Sequence, residues 1–155
     1  MELIDSASIP RSRDAVWKSL NDPEVLRHVV PGCEMLEVIA ENRMRGQVTV
    51  KVGPVKARFA GEITFSDVVP PKSYVLTGEG KGGIASFAKG VATVNLEEVG
   101  PDQTLLHYHA RVDVGGKLAQ LGARLLDSTA KKLARQFFDD FCKVVAQGAT
   151  INHSQ

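Results

Sequence analysis

The segment RMRGQVTVKVGPVKARFAGEITF, residues 43–65, decides the fold. Met44, Gly46, Val48, Val50 and Val52 alternate with Arg43, Arg45, Gln47, Thr49 and Lys51, the period of a strand with one buried face and one wet face. Gly53-Pro54 turns the chain. Val55, Ala57, Phe59, Gly61, Ile63 and Phe65 then take one side, and Lys56, Arg58, Glu62, Thr64 and Ser66 the other.

The same pattern extends in both directions. Downstream, Pro70-Pro71 marks a turn, Ser73–Gly80 reads as a strand, and Lys81-Gly82-Gly83 reads as a loop. Ala88, Gly90, Ala92, Val94 and Leu96 face inward from the next strand, and Gly100-Pro101-Asp102 turns again. The last strand sends Leu106, Tyr108, Ala110, Val112 and Val114 inward and His107, His109, Arg111 and Asp113 outward. Upstream, Leu3–Ile9 is a strand ended by Pro10. Ser12 caps a helix that carries Ala15, Val16, Trp17 and Leu20. Asp22 and Pro23 suit the N-cap and first position of a second helix, Glu24–Val30, which Pro31-Gly32 stops.

Gly115-Gly116 ends the strands, and a long helix is predicted over Lys117–Ala146. Leu118, Leu121, Leu125, Leu133, Phe137 and Phe141 recur there at helical spacing, opposite a basic stripe of Lys117, Arg124, Lys131 and Arg135. A twisted sheet must cover its apolar face, and only this helix is long enough to do so. The expectation is therefore one α+β domain over residues 1–146. It has a curved seven-stranded antiparallel sheet wrapped on the long C-terminal helix and two short helices after the first strand, with a polar tail at 147–155.

Composition excludes several classes. The chain has 155 residues, enough for one domain with a real core. Its net charge of +1 and 6% aromatic content offer no basic, stacking surface for nucleic acid. Met1–Asp5 does not read as a signal peptide, and no apolar run approaches the roughly 20 residues of a bilayer span. A cytoplasmic protein, at most peripheral to a membrane, is expected. The two cysteines, Cys33 and Cys142, stand far apart, with no cluster that would hold zinc, and are expected as free thiols.

The inward residues are small: Gly46, Ala57, Gly61, Ala88, Gly90, Ala92 and Ala110, faced by Ala119, Gly122 and Ala123 on the helix. Filling a curved sheet to native density takes larger side chains. Strand glycines also serve bending and close helix approach. A cavity of ligand size, about 300–1,000 Å³, is the expectation. Its candidate lining is Val48, Val50, Ala57, Phe59, Gly61, Ile63, Phe87, Ala88, Ala92, Leu106, Tyr108 and Ala110 from the sheet, with Leu118, Leu121, Gly122 and Leu125 from the helix. Leu133, Phe137, Phe138 and Phe141 read as solid packing, where Phe137→Ala would cost about 3–5 kcal/mol.

No reaction chemistry stands out. His107 and His109 share the wet face of a strand with no third ligand near, so no metal is expected. The chain has no Gly-x-Ser-x-Gly elbow. The strand acids Glu62, Glu79, Glu97 and Asp113 alternate outward, with Asp5 a weak inward exception. Gly78-Glu79-Gly80-Lys81-Gly82-Gly83 lacks the hydroxyl residue of a phosphate loop and precedes a strand. It reads as a hairpin loop that could gate a pocket with Ile84 and Phe87 at its tip. Tyr108 is the inward polar tip, suited to a ligand carbonyl or hydroxyl or to the backbone. The basic stripe reads as the wet face of the helix or as a contact for an anionic membrane or acidic partner.

Five stretches carry a resemblance. They are Val16-Trp17 with Leu20-Asn21-Asp22-Pro23-Glu24-Val25-Leu26; Val30-Pro31-Gly32-Cys33-Glu34; Val50-Lys51-Val52-Gly53-Pro54-Val55-Lys56-Ala57; Gly78–Gly83 with Phe87-Ala88-Lys89-Gly90; and Val114–Gly122. Together they resemble the carbon monoxide dehydrogenase CoxG family of the START-like (SRPBCC) helix-grip superfamily, over roughly residues 2–146. The resemblance implies the helix-grip fold and a non-catalytic accessory role, without cofactor, that helps place molybdenum hydroxylases of the CO dehydrogenase type at the membrane. It also implies a cavity for lipids or other hydrophobic molecules, a quinone among them. Some members carry a C-terminal apolar anchor, which the polar residues before Gln155 do not match. Two other readings remain: a cyclase or aromatase of the same superfamily, which needs inward acids or histidines, and a pure interaction module acting through the stripe and the glycine-rich loop.

Overall fold

The computed structural model describes the backbone of residues 1–83 and 86–154 and the side chains of residues 1–83 and 86–146. Seven antiparallel strands form one sheet: β1 (Glu2–Ile9), β2 (Cys33–Ala40), β3 (Arg43–Val52), β4 (Val55–Val69), β5 (Ser73–Gly82), β6 (Ser86–Gly100) and β7 (Gln103–Gly115). β2 to β7 follow one another as a meander, and β1 closes the far edge against β7, giving the order β1-β7-β6-β5-β4-β3-β2. Two short helices, α1 (Arg13–Leu20) and α2 (Pro23–Val29), connect the two edge strands. Their starts follow local chemistry. The Ser12 hydroxyl accepts a hydrogen bond from the Ala15 amide at 3.3 Å, and an Asp22 carboxylate oxygen accepts one from the Glu24 amide at 2.9 Å.

The long helix differs from the sequence expectation at both ends. Residues Gly116–Leu121 form a 3₁₀ turn, Gly122 at φ +100° breaks it, and α3 begins at Ala123. Glycine adopts that φ without the Cβ clash other residues would meet. The backbone of α3 then continues to Ser154, so most of the segment expected as a tail extends the helix. Residue 155 lies outside the described residues, as does Ile84, expected at a gating tip.

Packing is graded along the sheet. At one end Ile9, Val94, Leu96 and Leu106 meet Val16 and Leu20 of α1, Leu26 and Val29 of α2, and Phe141 and Val145 of α3. At the other end Leu118 is buried, and Leu125 of α3 closes on the β3–β4 turn, where a Cβ on Gly53 would sit 2.7 Å from a Leu125 methyl. α3 is thus held at its start by Leu125 and again at Phe141 and Val145, and the span between these points carries the site.

Phe141 is fully buried, whereas Phe137, one turn earlier, is half-buried. Phe141→Ala should therefore cost about 3–5 kcal/mol and Phe137→Ala less. Urea unfolding of both variants checks this, and a Phe137 loss equal to or above that of Phe141 would contradict the graded packing.

Candidate functional site

Between the two clamped ends, strand register aligns small residues in rows across the sheet. Leu36 of β2 pairs with Gly46 of β3, Gly46 with Gly61 of β4, Gly61 with Gly80 of β5, and Gly80 with Ala88 of β6. Four neighbouring strands therefore offer nothing larger than a methyl group along one line. The adjacent row reads Met44, Ile63, Gly78, Gly90 and Val112. Residues directly opposite in a ladder stand on the same face, so these rows form a trough floored by bare backbone.

Above the trough lies a cavity of about 470 Å³ whose walls are almost wholly apolar. Leu20, Leu26 and Val30 roof one side, Cys33 and Leu36 come from β2, and Phe137 comes from α3. Val48, Phe59, Ile63, Phe65, Tyr74, Leu76 and Val112 complete the walls. Glu62, Glu79 and Lys89 border the cavity, but each is exposed and alternates with an inward glycine. They present their backbone there, and the Glu62 carboxylate pairs with Arg43 instead. Burial pushes the Cys33 thiol above its ordinary pKa, and that thiol points at the Met35 carbonyl at 3.6 Å.

The cavity is open on one side and is no sealed void. Covering its apolar walls with a ligand is worth about 25 cal/mol for each Å² removed from water. Walls this apolar give water few hydrogen bonds, so a hydrophobic occupant fits the site best.

Of the residues expected in the lining, Val48, Phe59, Gly61, Ile63 and Ala88 border this cavity. Ala57, Leu118 and Leu121 line a smaller recess that shares Phe59 with it. Val50 pairs with Ala57 near the hairpin tip, and Gly122 and Leu125 start the helix beside that tip. Ala92 and Ala110 pair with each other one row nearer the packed end, outside the lining. Leu106 is 1% exposed and belongs to the solid core rather than to the site. Tyr108 faces inward but stacks on Phe138 with ring centroids 5.2 Å apart, in a cleft near β1 with Asp5. Phe87 needs correction. It is the second residue of β6, so alternation that turns Ala88 inward turns Phe87 outward, 45% exposed.

Sequence reasoning missed Leu20 of α1, Leu26 of α2 and Val30 just after α2, and it missed Tyr74. The signal for Tyr74 was its parity with Leu76, Gly78 and Gly80 on β5.

The basic stripe divides. Lys131 pairs with Asp127 at 3.0 Å, and with Arg135 it borders the cleft that holds Glu2, Asp5 and Asp139. Lys117 and Arg124 instead sit at the end where Lys51 and Lys56 face each other across β3 and β4. Among the described residues Lys51, Lys117 and Arg124 have no ion-pair partner, and like charges placed opposite in a ladder repel. This end has a standing excess of positive charge.

Similarity to known proteins agrees with this geometry. The family described as the CoxG subunit of carbon monoxide dehydrogenase matches residues 6–146. No curated protein matches. Among solved structures, a conserved protein of Geobacillus kaustophilus is 30% identical with a TM-score of 0.89, covering 95% of this chain and 96% of its own. A START superfamily protein of Mycobacterium smegmatis is 14% identical with a TM-score of 0.72, covering 94% and 97%. The Zhui aromatase/cyclase of Streptomyces sp. R1128 is 11% identical with a TM-score of 0.66, covering 95% and 94%. The last two likenesses concern the START-like helix-grip fold alone.

Two glycines of the trough should respond oppositely to alanine. A Cβ on Gly61 would sit 2.0 Å from the Glu79 carbonyl oxygen, whereas one on Gly80 meets nothing nearer than 3.6 Å. Gly61→Ala should destabilise the fold by about 2 kcal/mol or more. Gly80→Ala should be neutral or stabilising by about 0.5–1 kcal/mol while filling the trough. Urea unfolding of the pair reads both signs.

Proposed function

The chain belongs to the carbon monoxide dehydrogenase CoxG family, and on that premise we propose that it is a non-catalytic accessory protein that holds a hydrophobic molecule, a lipid or a quinone. It does so for a molybdenum hydroxylase of the CO dehydrogenase type, at the inner face of the cytoplasmic membrane. The observation that carries this reading is the apolar cavity of about 470 Å³ above the glycine trough. Among the described residues the ionisable side chains turned to its walls are Cys33 and Tyr74, which burial keeps neutral, with no inward carboxylate or histidine beside them. The two bordering carboxylates, Glu62 and Glu79, are exposed on the outer face. A cyclase would need such a group inside, where burial could tune its pKa.

Charge supports the membrane part. Lys51, Lys56, Lys117 and Arg124 gather at the hairpin end, and anionic lipid attracts such a group by roughly 1 kcal/mol per cation near the surface. Among the described residues no helix is long and apolar enough to cross a membrane.

Native mass spectrometry of the purified protein, followed by solvent extraction, tests the cavity reading. The expected outcome is a non-covalently held lipid or quinone, or uptake of decylubiquinone by delipidated protein. A clean unliganded mass together with no uptake would sink it.

A further inference from the structure

The cavity walls hold one polar side chain that nothing else on the walls explains. Tyr74 projects from β5 into the lining and is 5% exposed. Its ring is fixed by Trp17, edge-on at 5.5 Å, and by Phe65 at 5.2 Å. Its hydroxyl has no hydrogen-bond partner among the described residues, and burial alone raises its pKa above the ordinary tyrosine range. A tyrosine hydroxyl in a wall ordinarily finds a partner in the protein, in water or in a ligand. Phenylalanine would pack the same ring, as Phe65 does alongside.

The hydroxyl keeps some accessible surface, since Arg13 Nε is the buried side-chain atom left without a partner among the described residues. The cavity is open on one side, so water reaches the hydroxyl when the site is empty. The Cys33 thiol is turned to the Met35 carbonyl, and the carboxylates of Glu62 and Glu79 are outside. The floor amides and carbonyls are engaged in the ladders between β3, β4, β5 and β6. An occupant that displaces water from the cavity strands the hydroxyl unless it supplies the hydrogen bond itself.

We propose that Tyr74 is the polar anchor of the cavity, and that the ligand is an apolar molecule bearing a carbonyl or hydroxyl oxygen that hydrogen-bonds the Tyr74 hydroxyl. This rests on the cavity being a ligand site. It assigns the contact with the ligand's oxygen to one residue, and it excludes plain hydrocarbons as the preferred occupant. It also gives Tyr74 the ligand contact that was one of two expectations for Tyr108, the other being a bond to the backbone; the Tyr108 ring stacks on Phe138.

The test compares Tyr74→Phe with the unaltered protein using two probes of one shape, 2,3-dimethyl-1,4-naphthoquinone and 2,3-dimethylnaphthalene. Substitution at both ring positions blocks addition of the Cys33 thiol. Equilibrium dialysis gives the affinities, and urea unfolding without probe gives the stability. The expected result is a loss of about 3- to 10-fold in quinone affinity for the variant, the worth of one neutral hydrogen bond, with no loss for the hydrocarbon. The unliganded variant should unfold at the same or a higher urea midpoint, because the hydroxyl has no protein partner to lose. An unchanged quinone affinity, an equal loss for both probes, or a lowered midpoint would overturn the anchor while leaving the cavity reading in place. Failure of both probes to bind the unaltered protein would overturn the cavity reading, and the anchor with it.

Discussion

The alignment of Gly46, Gly61, Gly80 and Ala88 across four strands is the constraint on which the rest depends. A single small residue in a strand leaves a dimple that neighbours fill. Small residues in register leave a groove that runs across the sheet, bordered by Phe59 and Ile63 of the same strands. α3 cannot sink into the groove either. Phe141 and Val145 hold it on the packed end, and Leu125 rests on the β3–β4 turn at the other. The helix spans the trough as a beam spans two supports, and the space beneath follows from that geometry.

The arrangement separates the work of folding from the work of binding. Buried side chains of α1, α2, β6, β7 and the far part of α3 make one contiguous cluster. The cavity lies beside it and shares Leu20, Leu26, Leu36, Phe65 and Tyr74 as a common wall. Those residues have one side in the core and one side toward the ligand, which keeps the wall rigid while leaving the floor bare. Rigid walls let a pocket discriminate shape without ordering itself each time a ligand enters.

The fold was legible because alternation is a local signal. The period in residues 43–65 named both strands and their faces, and Gly53-Pro54 named the turn. The site was legible only in part, because parity tells which face a residue takes but not which row it joins. Ala88, Leu106 and Ala110 all face inward, yet register across the seven strands puts Ala88 on the trough, Leu106 in the core and Ala110 between them. Phe87 shows how sensitive parity is to where a strand begins. With β6 starting at Ser86, Phe87 goes out and its neighbour goes in. Leu20, Leu26 and Val30 were out of reach for another reason. Periodicity suggests helices for them but does not say that these segments roof a cavity over β3 to β6.

The bare floor has an evolutionary consequence. Gly80 can accept a Cβ at ordinary contact distance, 3.6 Å from its nearest neighbours, without disturbing the core cluster, whereas Gly46 and Gly61 cannot. Changes there would reshape the ligand space one methyl group at a time while the packed end goes on specifying the fold. Such a scaffold can be handed from one hydrophobic cargo to another by single substitutions, so descent with this architecture preserves a container more faithfully than it preserves its contents.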